Sequence, residues 1–228
     1  MHRESVDSTM DEARREAANF DFLLVTADQQ IHGRGTRGRL WHSPSRNVHL
    51  TVAIRRKLLS NARMGLLPLE AGVKLWEAAN QVLPPPSRSG LRLKWPNDLL
   101  WQGKKTAGML VEVSGDFLYI GAGVNVVHAP DITDGGTPSS CLVEAGADPD
   151  CGPDLAESFF SSWLEEIGTH RGNVLQEWNA KALWNARFRM RDRNGNPEVQ
   201  PVEVNEDGHL KVRFADGREE WLVSEYLV

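Results

Sequence analysis

Lys94-Trp95-Pro96-Asn97-Asp98 closes the short run Leu91-Arg92-Leu93, and its reading decides how the chain around it folds. Pro96 disfavours helix at Trp95 and imposes an extended or turned backbone there. A strand over 91–95 therefore halts, leaving Asn97 and Asp98 at its rim. Further strands are expected at 98–101, 106–113 and 117–124, separated by turns at Gly103 and Ser114-Gly115-Asp116. Upstream, Phe22-Leu23-Leu24-Val25-Thr26 reads as a buried strand. Residues 48–54 alternate apolar with smaller or polar side chains in the strand period. Helices are expected at 9–19, at 62–83 ahead of Pro84-Pro85-Pro86, from Pro153 to about residue 170, and at 174–184. Thr9 and Glu12 have the spacing of a capping box, with Ser8 as the alternative cap.

Beyond Ala186 the character changes. Arg193-Asn194-Gly195-Asn196, Glu206-Asp207-Gly208 and Asp216-Gly217 punctuate short strands and mark hairpin turns. The expected architecture is α+β: a mixed β-sheet with flanking helices over residues 1–183, followed by a small all-β barrel over 184–228.

The 228 residues are 40% hydrophobic and 25% charged, the mix of a globular chain long enough to bury a core without disulfides or a structural metal. A net charge of -5 disfavours a general nucleic-acid binder. Cys141 and Cys151 match no zinc spacing and read as free thiols of a reducing compartment. The N-terminus has no apolar run of a signal peptide, and no stretch approaches the roughly 20 apolar residues of a membrane span, so a cytoplasmic location is expected.

Three further segments carry chemistry. In Gly33-Arg34-Gly35-Thr36-Arg37-Gly38-Arg39-Leu40-Trp41, the glycines permit close backbone approach and the arginines offer forks for carboxylate or phosphate oxygens. The missing Gly-Lys-Ser/Thr ending disfavours a Walker-type loop. A flexible basic loop or an RNA-contacting segment is the competing reading. In Gly103-Lys104-Lys105-Thr106-Ala107-Gly108-Met109-Leu110-Val111-Glu112, two lysines occupy a turn, and Gly108 inside an apolar strand implies close approach of a ligand or of other backbone. Gly121-Ala122-Gly123-Val124-Asn125 again leaves room beside a strand.

In this order the four segments resemble the biotin–protein ligase family. That family has a Gly-Arg-Gly-Arg-x-Gly-Arg-x-Trp loop, then Lys-Trp-Pro-Asn-Asp, then Gly-Lys/Arg-Lys-x-x-Gly-Ile-Leu-Val-Glu, then Gly-x-Gly-x-Asn. The resemblance extends to Asp7-Ser8-Thr9, Gln30, Pro138-Ser139-Ser140-Cys141-Leu142 and a C-terminal β-domain like the family's SH3-like one. It implies a class II synthetase-like catalytic fold that uses ATP, biotin and Mg²⁺ to form biotinyl-AMP. The biotinyl group then passes to a lysine of a biotin carboxyl carrier domain of a biotin-dependent carboxylase.

Site residues follow from the same resemblance. Ser8, Thr9, Met10, Gln30, Arg34, Gly35, Thr36, Lys105 and Gly108 are implied at biotin. Arg37, Arg39, Trp41, Asn97, Asp98 and Asn125 are implied at the nucleotide. Lys105, Asp98 and Arg39 are implied in catalysis, and no metal ligands are assigned. The sequence departs from the pattern at Met10, where the family usually has Asn, and at Thr36, where it usually has Arg. No DNA-binding domain and no membrane partner are expected, and either a monomer or a homodimer is open. The rival readings are a lipoate or octanoate transferase of the same fold, a biotin-binding member without turnover, and a non-catalytic RNA-binding module.

Overall fold

A computed structural model describes residues 1–59, 63–131, 136–167, 172–191, 195–223 and 226–227, with the side chains of Arg37, Arg191, Tyr226 and Leu227 outside the described set. Seven strands form the first sheet: β1 (His2–Val6), β2 (Phe22–Gln30), β3 (Val48–Arg55), β4 (Leu91–Lys94), β5 (Asp98–Trp101), β6 (Lys104–Ser114) and β7 (Phe117–Val124). Their order is β1-β2-β3-β7-β6-β5-β4. The β1–β2 pair is parallel and the other pairs are antiparallel, so the sheet is mixed as expected.

β1 is absent from the sequence reading for a physical reason. Its residues His-Arg-Glu-Ser-Val bury only the final valine, so an edge strand leaves no apolar alternation. β2 likewise runs past residue 26 through polar positions that the apolar run does not mark.

Helix α1 (Thr9–Glu16) starts at Ser8, whose Oγ accepts from the Met10 N–H at 3.3 Å. Ser8 is therefore the cap, and no Thr9–Glu12 capping box forms. Glu12 instead pairs with Arg3 at 2.8 Å and Arg15 at 3.1 Å. Asp11 and Glu12 in the first turn and Arg14 and Arg15 in the last complement the helix dipole. A 3₁₀ turn over Ala17–Asn19 completes the expected stretch.

Helix α2 (Leu67–Val82) begins later than residue 62, after a 3₁₀ turn at Met64–Leu66; residues 60–62 lie outside the described set. It ends before Pro84, and α3 (Pro85–Arg88) is a single turn. Helix α4 (Gly152–Leu164) carries Pro153 in its first turn and stops short of the expected 170, with 168–171 outside the described set. Helix α5 (Val174–Lys181) is capped by Asn173, which accepts from the Gln176 N–H at 3.1 Å.

α1 covers one face of the sheet through Met10, Ala13 and Ala17 against Leu23, Val25, Ala53 and Tyr119. α2, α4 and α5 contribute to the larger core on the other face, with Phe159, Trp163 and Trp178 fully buried. β3 sits between the two layers, which is why His49 and Thr51 are as buried as Leu50 and Val52.

Strands β8 (Phe188–Arg191), β9 (Glu198–Val204), β10 (Leu210–Phe214), β11 (Glu219–Leu222) and β12 (Tyr226–Leu227) form a second, antiparallel sheet in the order β11-β10-β9-β8-β12. The turn before β9 is described only from Gly195, since 192–194 lie outside the described set. Gly195, Gly208 and Gly217 each have positive φ, as their hairpin turns require. Phe188, Met190, Val199, Leu210, Val212 and Leu222 of this sheet join the main core cluster, so the two sheets are packed together.

Candidate active site

The ends of β5, β6 and β7, the start of α1 and the loop at 33–41 enclose a cavity of about 380 Å³. That volume suits a small molecule. Apart from Arg37, whose side chain lies outside the described set, every site residue expected from sequence lines this cavity.

The glycines form its floor. A Cβ at Gly123 would lie 2.2 Å from Trp41 Nε1, and one at Gly108 would lie 3.1 Å from Trp41 Cζ3 and 3.2 Å from Lys105 Nζ. The close approach expected at these strands is therefore made by the indole of Trp41. Its Nε1 is buried without a hydrogen-bond partner among the described residues. Gly121 leaves room for Met10, whose Sδ would meet a Cβ there at 3.1 Å.

Asp98 and Lys105 meet because β6 carries an irregularity. Leu99 pairs with Ala107, yet Leu100 pairs with Lys105, so Thr106 is an extra residue in the ladder. A bulge of this kind reverses the facing of the residues beyond it. Lys105 is thereby placed on the face of Asp98, with Nζ 2.6 Å from Oδ1. Lys104 pairs with Trp101 on the opposite face and is exposed. Thr106 is fully buried, and its hydroxyl donates to the Leu99 carbonyl at 3.2 Å.

At the α1 end, the Thr9 N–H and Oγ1 both donate to Gln30 Oε1, at 2.9 and 3.0 Å. Gln30 Nε2 donates to Ser43 Oγ at 2.9 Å, and Thr51 Oγ1 donates to Thr9 Oγ1 at 2.9 Å. This network holds the polar groups of one cavity end before any ligand arrives. At the other end, Asn125 is 1% exposed and its Nδ2 donates to the Ser140 carbonyl at 3.1 Å. Its Oδ1 has no partner among the described residues. A buried acceptor in that state favours a ligand that donates to it.

The loop is a closed hairpin: Gly35 N–H donates to the Arg39 carbonyl at 2.7 Å and Trp41 N–H to that of Gly33 at 2.8 Å. Arg34 lines the cavity, and its guanidinium donates to Asp11 with bonds of 2.9 and 2.7 Å. Partial burial opposes ionisation of Asp11, but Arg34 and Arg14 outweigh it and hold the carboxyl below its ordinary value. Arg39 donates to Thr36 Oγ1 at 3.0 Å. Sequence reasoning missed Asp11, and also Lys94, which lines the cavity 3.8 Å from Asp98 Oδ2. The signal for Lys94 was its place in the Lys-Trp-Pro-Asn-Asp segment.

Cys141 and Cys151 are free, buried and outside the cavity, and burial raises both thiols above the ordinary value. Among the described residues, no group of three or more His, Cys, Asp or Glu is placed to hold a metal ion. None of their helices is long and apolar enough to cross a membrane.

A cavity that joins a preordered polar end, a glycine floor, a lysine–carboxylate pair and an arginine loop suits recognition and activation of a small acid. The model of the biotin/lipoate A/B protein ligase family matches residues 3–125, more than half of the chain, and the chain belongs to that family as a biotin protein ligase member. The biotin--[acetyl-CoA-carboxylase] ligase of Paracoccus denitrificans is 34% identical over 191 residues, covering 77% of this chain and 78% of that one. The ligase of the same name from Mycobacterium tuberculosis is 38% identical over 119 residues; the match covers 51% of this chain and 44% of the relative. A solved biotin protein ligase from Leishmania major in complex with biotinyl-5-AMP is 32% identical, with a TM-score of 0.75 and 97% of each chain covered.

Proposed function

We propose that this chain is a biotin–protein ligase, which adenylates biotin with ATP and transfers the biotinyl group to a lysine of a carboxylase's biotin carboxyl carrier domain. The observation that carries this reading is the Asp98–Lys105 pair, 2.6 Å apart, in a cavity that gathers all four sequence motifs. The Leishmania relative holding biotinyl-5-AMP and the Paracoccus ligase spanning most of the chain support it.

In the first step a carboxylate oxygen of biotin bonds to the α-phosphorus of ATP and pyrophosphate leaves. Two anions are forced together, so fixed positive charge lowers the barrier. Lys105 and Arg39 supply it. Ser8, Thr9 and Gln30 hold the polar head of biotin, with Met10, Gly35, Thr36 and Gly108 around the rest and Arg34 turning in from Asp11. Trp41, Asn97, Asn125 and Arg37 serve the nucleotide.

Mg²⁺ bound with ATP would supply neutralisation of the phosphate charge. Such an ion would be held by one or two carboxylates besides phosphate oxygens, and among the described residues Asp98 and Asp131 are the carboxylates that line the cavity. In the second step the acceptor amine bonds to the acyl carbon and AMP leaves. Asp98 takes or orients the amine proton while Lys105 polarises the acyl carbonyl.

Residues 1–183 form the catalytic domain in this proposal and 184–228 an SH3-like barrel, in a cytoplasmic protein with reduced cysteines. Octanoyl transfer through a cysteine is disfavoured, because both thiols are buried away from the cavity. Exchange of labelled pyrophosphate into ATP tests the first step. It is expected to require biotin, and equal exchange with lipoate or octanoate would contradict the proposal.

A further inference from the structure

We infer that Lys94 is a positioning residue for the Asp98 carboxylate and that the C-terminal sheet holds it in place. The inference rests on the ligase reading and deepens its use of Asp98. Lysine is almost never fully buried unless paired. Lys94 is 3% exposed. Its ammonium donates to Thr137 Oγ1 at 2.7 Å, lies 3.8 Å from Asp98 Oδ2, and stands 5.0 Å from the centroid of the Phe188 ring. Asp98 thus lies between two lysines, with Oδ1 on Lys105 and Oδ2 facing Lys94. With Oδ1 held by Lys105 and Oδ2 attracted towards the Lys94 ammonium, the rotation of the carboxylate is restricted, and orientation is what proton transfer to or from a substrate amine requires.

The second sheet and its approach grip the chain just before Asp98, residue by residue. The Leu93 carbonyl accepts from the Leu183 N–H at 2.9 Å. Lys94 lies over Phe188 of β8. Trp95 Nε1 donates to the Gly208 carbonyl at 2.9 Å, in the turn between β9 and β10. That turn is seated tightly, since a Cβ on Gly208 would stand 2.2 Å from the Gly65 carbonyl oxygen. Only Pro96 and Asn97 separate this clasp from Asp98. The C-terminal sheet therefore sets the orientation of a reacting group without lining the cavity itself.

A purely structural lysine makes a different prediction. Removing one member of a buried ion pair is destabilising, but Asp98 keeps its 2.6 Å contact with Lys105, so Lys94→Met is expected to lower stability without abolishing the fold. Transfer from preformed biotinyl-AMP to a carrier domain is measured alongside thermal unfolding for the full-length chain. Lys94→Met should lower kcat for transfer about tenfold or more while KM for the carrier stays within about twofold. Lys94→Arg should restore a substantial part. Phe188→Leu, which keeps apolar bulk, should lower kcat about threefold with the same split. Arg218→Ala, on an exposed hairpin of the same sheet, should match wild type. Lys94→Met at the wild-type rate, or a loss that only tracks unfolded protein, overturns the inference. Should Lys94→Met fail to fold, unchanged transfer in Phe188→Leu overturns it equally. A wild-type chain that makes no biotinyl-AMP overturns the ligase reading and this inference with it, whereas turnover insensitive to Lys94 overturns the inference alone.

Discussion

Around the Asp98 carboxylate, Lys105 stands at 2.6 Å while Lys104, one residue away, faces solvent. Lys105→Ala is therefore expected to slow biotinyl-AMP formation at least about tenfold, or 1.4 kcal/mol of barrier, and Lys104→Ala to change it little. Single-turnover adenylation checks this, and equal effects would contradict the assignment. Asp98→Asn keeps shape but removes the charge that takes up a proton. Transfer should fall and depend more steeply on high pH, because the free amine must then arise from a lysine with pKa about 10.4; a pH profile of transfer like that of wild type would leave Asp98 without this role. Thr36 replaces the arginine usual in the family's loop, and its hydroxyl accepts from Arg39 rather than reaching an anion. A charge-assisted bond worth roughly 1.5–3 kcal/mol is forgone, so biotinyl-AMP should escape and label bystander lysines. Thr36→Arg is expected to lower bystander labelling while carrier transfer persists; a sharp rise with Arg37→Ala and no effect of Thr36→Arg would show that Arg37 already fills the role. At this scale the residue types were legible, because their order and spacing are specific. The choice of Lys105 acquires its geometric reason only from the extra Thr106, and one inserted residue leaves no compositional trace.

Among the elements, β3 carries a buried histidine whose state is coupled to the fold. Burial holds His49 below its ordinary pKa, and its Nε2–H donates to the Pro44 carbonyl at 3.0 Å. The unfolded chain takes up a proton at this residue below pH about 6.5 while the folded chain resists it. Stability rises with pH wherever the unfolded state binds more protons. The His49 contribution is thus complete above about 6.5 and is lost as pH falls towards the lowered folded value. Urea midpoints from pH 8 to 5 should drop below that point and drop less in His49→Gln; identical profiles would remove His49 as the cause. The central strands and most helices were legible from apolar runs, prolines and glycine turns. β1 was not, since only Val6 of its residues is buried. The Thr9–Glu12 spacing misled, because Glu12 is taken by Arg3 and Arg15. Burial on both faces of β3 was also hidden, since the polar side chains of His49 and Thr51 give no sign of it in the alternation.

At the scale of the whole molecule, the change of character after Ala186 announced strands, and a second, antiparallel sheet stands there. Its attachment was not legible: Trp95 reaches Gly208 across more than a hundred residues, and no local pattern encodes a contact of that range. Those attachments fall on the segment leading to Asp98, while the cavity is built wholly from the first sheet, α1 and their loops. Whether this assembly joins biotin to protein is therefore the deciding question. Purified chain is incubated with labelled biotin and a biotin carboxyl carrier domain, with and without ATP. Label should enter the carrier covalently only when ATP is present, and should be lost when the acceptor lysine is replaced by arginine. Carrier left unlabelled in the presence of ATP, or labelled equally without it, would contradict the central claim.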